Sequence, residues 1–367
     1  MTLLVFALGL ALLVAGAELL VRGASRLAEA LGIPPLVIGL TVVAFGTSAP
    51  EMAVSVQAAA SGETAIAMGN VVGSNIFNVL FILGLAALIT PLVVHQQLVR
   101  LDVPVMIAAT FVLAFMVRDS RLSLPEGAAL LAALAAYTAL QVRLALRERD
   151  ARVLAEYQNT VGSEGARVRG AWPWQVLLVA AGLVLLVMGS RLLVQSAVTF
   201  AGWLGISETV VGLTIVAAGT SLPEVAASVM ASIRGERDIA VGNVVGSNVF
   251  NILGVLGLSA LVSVQGLPVP ASVLAFDLPV MLAVAVACLP IFFTGWSIAR
   301  WEGAVFLGYY VAYTAFLVLD AAGHDALPRY SQVMLWFVMP LTTLTLLVVT
   351  ARSLRGARAG ASGPRHD

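Results

Sequence analysis

The sequence predicts an all-α integral membrane protein of two inverted five-helix repeats, a ten-helix core followed by an eleventh, C-terminal transmembrane helix. Three observations lead there. First, 60% of the 367 residues are hydrophobic and 11% charged, where a soluble domain carries roughly 25% charge; the mean hydropathy is +0.99. Second, the stretch from Gly39 to Asn78 returns 173 residues later, from Gly212 to Asn251. Third, apolar runs of membrane-crossing length number five in each half.

A membrane helix needs about 20 mostly apolar residues. On that rule the first half holds spans near 3–21, 36–59, 65–89, 101–117 and 124–146. The second holds spans near 174–200, 209–232, 238–263, 272–293 and 302–319, and an eleventh follows at 331–350. The N-terminal run lacks the basic flank of a cleaved leader and is expected to stay as the first membrane helix. Between the halves lies a polar, charged segment, too short for a folded domain. The expected organisation is therefore a first repeat over 1–146, a linker over 147–172, a second repeat over 173–320, and an extra helix with a basic tail over 321–367.

The repeat extends beyond the doubled stretch. Asp102-Val-Pro104-Val-Met106 matches Asp277-Leu-Pro279-Val-Met281, and Tyr137-Thr138-Ala139 matches Tyr313-Thr314-Ala315. Five spans per unit is an odd number, so the second unit must enter the membrane in the opposite sense. Arginine placement sets the orientation. With the N-terminus outside, Arg22, Arg26, Arg100, Arg147, Arg149, Arg234, Arg237, Arg300 and the tail arginines lie inside; the outer loops keep Arg118, Arg121 and Arg329. The C-terminus is then cytoplasmic.

Each doubled stretch carries one carboxylate in mid-span, Glu51 or Glu224. A charge at the bilayer centre costs roughly 2.5–3.5 kcal/mol on insertion scales, so each acid needs a partner. The chain has no Lys, and no Arg falls between Gly46 and Ser55 or between Gly219 and Ser228, around the two acids. A bound cation is the simplest partner, and protonation is the other. Thr47, Ser48 and Ser55 share the helical face of Glu51; Thr220, Ser221 and Ser228 repeat that face around Glu224. Pro50 removes the amide that would serve the Gly46 carbonyl, and Pro223 does the same at Gly219. Both helices are expected to break there and present carbonyl oxygens near Ala44 and Ala217, which is tolerated at membrane depth only where backbone lines a site. The following helix of each half adds Asn70, Ser74 and Asn78, or Asn243, Ser247 and Asn251, each set at intervals of four. These either hold helices together or complete an oxygen site. Oxygen-only surroundings suit hard cations such as Ca²⁺, Mg²⁺ or Na⁺.

The G-T-S-x-P-E signature from Gly46 to Glu51 and the G-N-x-x-G-S-N-x-x-N signature from Gly69 to Asn78, both repeated from Gly219 and Gly242, carry a family likeness. The chain resembles the sodium/calcium exchanger branch of the cation/calcium exchanger superfamily, in its compact prokaryotic form, over about residues 1–320. That resemblance implies a ten-helix antiporter exchanging Ca²⁺ for Na⁺ by alternating access, with Glu51 and Glu224 as central cation ligands. It implies that Thr47, Ser48, Ser74, Asn78, Thr220, Ser221, Ser247 and Asn251, with carbonyls near Ala44 and Ala217, complete the sites. The proton-coupled branch carries a G-N-x-x-E signature that is lacking here, which favours Na⁺ coupling over H⁺. Asn251 stands where potassium-dependent members carry Asp.

Other expectations follow. The bilayer and the transported Na⁺ and Ca²⁺ are the partners; no cofactor, nucleic acid or obligatory protein partner is expected, and formal net charge is zero. An inner (plasma) membrane location with many passes fits. A Ca²⁺/H⁺ or other divalent-cation antiporter is the alternative within the class. An intramembrane metalloenzyme is the alternative outside it, but the chain has no HExxH. Glu18 and Arg191, at matching positions of the first and sixth helices, are expected at an interface or on a gating surface. Asp102 and Asp277 are expected as helix N-caps, and Glu126 and Glu302 as helix-dipole partners.

Overall fold

The computed structural model describes residues 2–159, 172–203, 217–263, 265–345, 347–348 and 351. The start of the expected seventh span (209–216), residues 160–171 of the linker and the arginine-rich tail lie outside the described residues. The first half comprises α1 (Thr2–Leu31), α2 (Pro35–Thr47), α3 (Ala49–Ala60), α4 (Thr64–Ile89), α5 (Leu98–Asp119) and α6 (Leu124–Asn159). The second comprises α7 (Trp172–Trp203), α8 (Ala217–Thr220), α9 (Leu222–Arg234), α10 (Arg237–Val262), α11 (Val273–Phe293) and α12 (Arg300–Ala321), followed by α13 over residues 327–345. Among the described residues eight helices are long and apolar enough to cross a membrane, and α2 with α3 makes a ninth, broken span bent by 45°. The chain is a multi-pass helical membrane protein.

Both expected helix breaks are present. The chain leaves helical geometry at Ser48 and at Ser221, and each proline sits in the first turn of the next segment, where a missing amide costs nothing. Helix α6 departs from expectation: it runs to Asn159, through the start of the charged segment expected to be linker. The segment is rich in residues of good helix propensity, Ala, Leu, Glu and Arg, which carry the helix past the apolar run.

Wide π-type turns recur at matching places, Asn78–Leu83 with Asn251–Leu256 and Leu98–Asp102 with Val273–Asp277. The second pair ends two residues before Pro104 and Pro279. A wide turn there absorbs the amide that each proline lacks.

The two halves pack with exchanged contacts. Helices α1 and α7 run antiparallel, with Gly9 against Gly189, Gly16 against Gly182 and Gly23 against Val179. A Cβ on Gly16 would lie 2.7 Å from the Leu186 amide, and one on Gly182 would lie 2.6 Å from the Leu20 amide. Only glycine allows that approach. Likewise Gly84 meets Gly303 while Gly127 meets Gly257. Two short antiparallel ribbons tie the loops: β1 (Leu92–Val93) with β4 (Ser297–Ile298), and β2 (Arg121–Leu122) with β3 (Leu267–Pro268).

Asp102 and Asp277 play different parts from the helix caps expected, whereas Glu126 and Glu302 stand in the first turns of their helices as expected. Asp102 caps nothing: its carboxylate is buried and accepts from Tyr137 Oη at 3.1 Å and from Gln141 Nε2. Asp277 accepts from Tyr313 Oη at 2.7 Å. Each acid thus joins the fourth expected span of its half to the fifth. Glu126 and Glu302 reach back to the amides of Ser123 (2.8 Å) and Ala299 (2.7 Å), closing helix starts by direct hydrogen bonds. Residues 327–345, most of the expected eleventh span, form α13 against α12, where Tyr330 Oη donates to the Ala312 carbonyl at 2.7 Å.

Candidate ion site

The breaks at Ser48 and Ser221 bring the two doubled stretches together. Ser221 Oγ donates to Glu51 Oε1 at 2.7 Å, and Ser48 Oγ donates to Glu224 Oε1 at 3.0 Å. Each carboxylate is held by the serine of the other half. Ser221 Oγ also reaches Ser74 Oγ at 3.2 Å. Thr47 Oγ1 donates to Asn243 Oδ1 at 3.0 Å, and Thr220 Oγ1 lies 3.4 Å from Asn70 Oδ1. Within each half, Asn70 Nδ2 donates to Ser55 Oγ and Asn243 Nδ2 to Ser228 Oγ, both at 2.9 Å, which docks the helix that follows onto the acid-bearing one.

Both acids are buried, and among the described residues ion pairs form only at Glu18, with Arg22 and Arg234, and at neither of these acids. Five buried oxygens of the two stretches have no hydrogen-bond partner there: Glu51 Oε2, Glu224 Oε2, Asn78 Oδ1, Asn251 Oδ1 and Ser247 Oγ. A buried acceptor left without a donor costs about 1–3 kcal/mol, and more when charged. Such oxygens are stabilised by a cation that takes oxygen ligands. Among the described residues no three His, Cys, Asp or Glu side chains group together, so the donor set is two carboxylates with hydroxyls and amides.

Of the expected side-chain ligands, Ser48, Ser221 and Ser74 join the two acids through hydrogen bonds, Thr47 and Thr220 meet the asparagines of the opposite half, and Asn78, Ser247 and Asn251 are buried on the following helices. The backbone oxygens differ somewhat. The Ala44 carbonyl already accepts from the Ser48 amide at 3.1 Å, and Thr47 Oγ1, which donates to Asn243, lies 3.4 Å from it. The Gly219 carbonyl accepts from Ser190 Oγ at 2.6 Å. Ala217 opens the short helix α8. The sequence reading assigns no role of their own to two residues of the doubled signature, Asn75 and Asn248, whose side chains bridge the halves. Asn78 Nδ2 donates to Asn248 Oδ1 at 2.9 Å, and Asn251 Nδ2 to Asn75 Oδ1 at 3.1 Å. Their presence in both copies was the available signal, but they lie one position off the polar face spaced by four.

The profile of the family described as "Sodium/calcium exchanger protein" matches residues 1–143 and 174–319. This chain belongs to that family. Within it, the chain is similar to the sodium/calcium exchanger MaX1 of Methanosarcina acetivorans, 34% identical over 346 residues, covering 86% of this chain and 97% of that protein. It is 39% identical over 224 residues to the putative antiporter CaxA of Alkalimonas amylolytica, covering 61% of this chain and 68% of CaxA. The solved sodium-calcium exchanger NCX_Mj, soaked without Na⁺ and Ca²⁺, superposes with a TM-score of 0.73 at 30% identity, covering 86% of this chain and 98% of that one. These relatives are membrane transporters of the exchanger family, and the site described above falls inside the matched residues.

Proposed function

We propose that this chain exchanges Ca²⁺ for Na⁺ across the membrane by alternating access, at a central site formed by Glu51 and Glu224. The observation that carries this reading is the set of five buried, unpartnered oxygens of the two stretches, two of them on acids that no basic side chain among the described residues neutralises. Thr47, Ser48, Ser74, Asn78, Thr220, Ser221, Ser247 and Asn251, with the Ala44 and Ala217 carbonyls, complete the ligand set. One Ca²⁺ or a set of Na⁺ ions neutralises the two charges. An empty site with both acids ionised is costly to move through the bilayer, so occupation by one ion or the other links the two fluxes.

The two five-helix units are read as an inverted repeat in the inner (plasma) membrane, N-terminus outside and C-terminus cytoplasmic. The antiparallel packing of α1 on α7 supports the inversion. So does the clustering of Arg22 and Arg234 on Glu18, which puts two arginines expected on one side of the membrane at one acid. The units cover 1–146 and 173–320, joined by 147–172 and followed by an extra helix and tail over 321–367. The glycine-lined pair α1 and α7 is the sliding element. The chain acts without a cofactor or an obligatory protein partner.

The test is calcium uptake into proteoliposomes holding the purified protein. An imposed Na⁺ gradient is expected to drive uptake, and a pH gradient alone is not. Uptake driven by the pH gradient alone would replace Na⁺ coupling with H⁺ coupling, and transport of another divalent ion with no Ca²⁺ flux would replace the cargo.

A further inference from the structure

A primary amide has two unlike ends: its oxygen accepts and its nitrogen donates. For Asn78 and Asn251 to serve a cation, the oxygen must face the ion, because the N–H end would repel it. Nothing on either residue itself decides which end that is.

The structure supplies the control from the opposite half. Asn78 Nδ2 is taken up by Asn248 Oδ1 (2.9 Å) and Asn251 Nδ2 by Asn75 Oδ1 (3.1 Å). The amide being planar, a bond at nitrogen turns the oxygen away, and both Asn78 Oδ1 and Asn251 Oδ1 are buried without a hydrogen-bond partner. A reversed Asn78 would set its oxygen against Asn248 Oδ1, acceptor against acceptor. The controlling amides are themselves fixed by groups that cannot flip: Asn75 Nδ2 lies 3.4 Å from the Asn248 carbonyl and 3.6 Å from Met281 Sδ, and Asn248 Nδ2 lies 3.4 Å from the Asn75 carbonyl and 3.6 Å from Met106 Sδ. Orientation thus passes from backbone to amide to amide, once in each direction between α4 and α10.

We infer that Asn75 and Asn248 are positioning residues that fix the carbonyl ends of Asn251 and Asn78 toward the transported cation, each half orienting the amide ligand of the other. The inference rests on the ligand set proposed above. It also explains why the clasp crosses between halves. A partner on the same helix would move with its ligand, whereas a partner across the interface ties both amide ligands to the docking of α4 on α10.

The test is a set of double-mutant cycles read by equilibrium Ca²⁺ binding to the purified full-length protein. Asn75→Ala is expected to weaken Ca²⁺ binding about 10- to 100-fold, the range for groups that orient metal ligands. In the Asn251→Ala background the same substitution should cost almost nothing further, since the amide it orients is gone. In the Asn78→Ala background it should keep its full effect, because Asn78 is held by Asn248 instead. A residue that only spaced the helices would weaken binding equally in both backgrounds, and that result would overturn the inference. Asn75→Ala keeps the Asn75 carbonyl and therefore leaves the anchor of Asn248 in place. If Asn75→Ala does not fold, Asn248→Ala with Asn78→Ala as the coupled background poses the same question. Should Asn251→Ala and Asn78→Ala both leave Ca²⁺ affinity unchanged while Glu51→Gln removes it, the ligand assignment of the two amides falls and this inference with it. If Glu51→Gln and Glu224→Gln also bind normally, the site itself is misplaced.

Discussion

Ser221 holds Glu51 at 2.7 Å across the interface between the two halves, and Ser48 holds Glu224 at 3.0 Å in return. A hydroxyl donating to a buried carboxylate contributes about 1.5–3 kcal/mol as a bond to a charged group. It uses one carboxylate oxygen and leaves the other buried without a hydrogen-bond partner, free for the proposed ion. Ser221→Ala and Ser48→Ala should therefore each weaken Ca²⁺ affinity, by roughly tenfold for a change of about 1.4 kcal/mol. The Ser221 change should be the larger, since that hydroxyl also contacts Ser74. Ca²⁺ titration of the two variants checks both the direction and the order.

Neutralising the acids separates binding from folding. Glu51→Gln and Glu224→Gln remove a buried charge that no basic group among the described residues compensates. Each should abolish Ca²⁺ transport while leaving the ion-free protein at least as stable as the parent, because the unpaired charge was a cost. Thermal unfolding with and without Ca²⁺ gives the decisive readout. The parent should gain about 2.7 kcal/mol at a Ca²⁺ concentration a hundred times its dissociation constant, and the Gln variants should gain nothing. Full transport by either variant would remove that acid from the site.

The sequence was most legible where one residue type decides the outcome. Hydropathy located the eight described membrane-crossing helices and the broken second span, and Pro50 and Pro223 located the breaks to within two residues, because a missing amide has a local consequence. Partner choice was less legible. Asp102 and Tyr137, and Asp277 with Tyr313, were each visible as matched pairs in the two halves, yet their bonds join separate spans and could not be read from spacing. Local capping chemistry was the nearer explanation, and tertiary packing overrode it. Asn75 and Asn248 were missed for the same reason, since their bonds run to the opposite half. The wide turns at Asn78 and Asn251 leave no periodic signal, because the apolar pattern on both sides is unbroken.

Close backbone contact between α1 and α7 predicts a different class of variant. A Cβ on Gly182 would come within 2.6 Å of the Leu20 amide and 2.8 Å of the Gly16 carbonyl, both backbone atoms that cannot rotate aside. Gly182→Ala must push the helices apart, at a cost of about 1–3 kcal/mol for an overpacked site. If the pair slides during transport, turnover should fall steeply while equilibrium Ca²⁺ binding at the central site stays near that of the parent. Flux and binding measured on the same preparation distinguish this from general unfolding, which would lower both.

The Asp102 cluster supplies the complementary case, in which stability changes and ion chemistry does not. Asp102 accepts from Tyr137 and Gln141, and Gln97 Nε2 in turn donates to Gln141 Oε1 at 2.9 Å, so four side chains knit α5 to α6 with no contact to either central acid. Tyr137→Phe keeps the ring packing and removes one donor from a buried carboxylate whose second oxygen already lacks a partner. The expected loss is about 1–3 kcal/mol of stability. Tyr313→Phe should cost less, because Asp277 is only half-buried and water replaces part of what the phenol supplied. Thermal midpoints of the two variants should rank in that order, with Ca²⁺ affinity unchanged in both. A shift in Ca²⁺ affinity on Tyr137→Phe would mean that this cluster is coupled to the ion site after all.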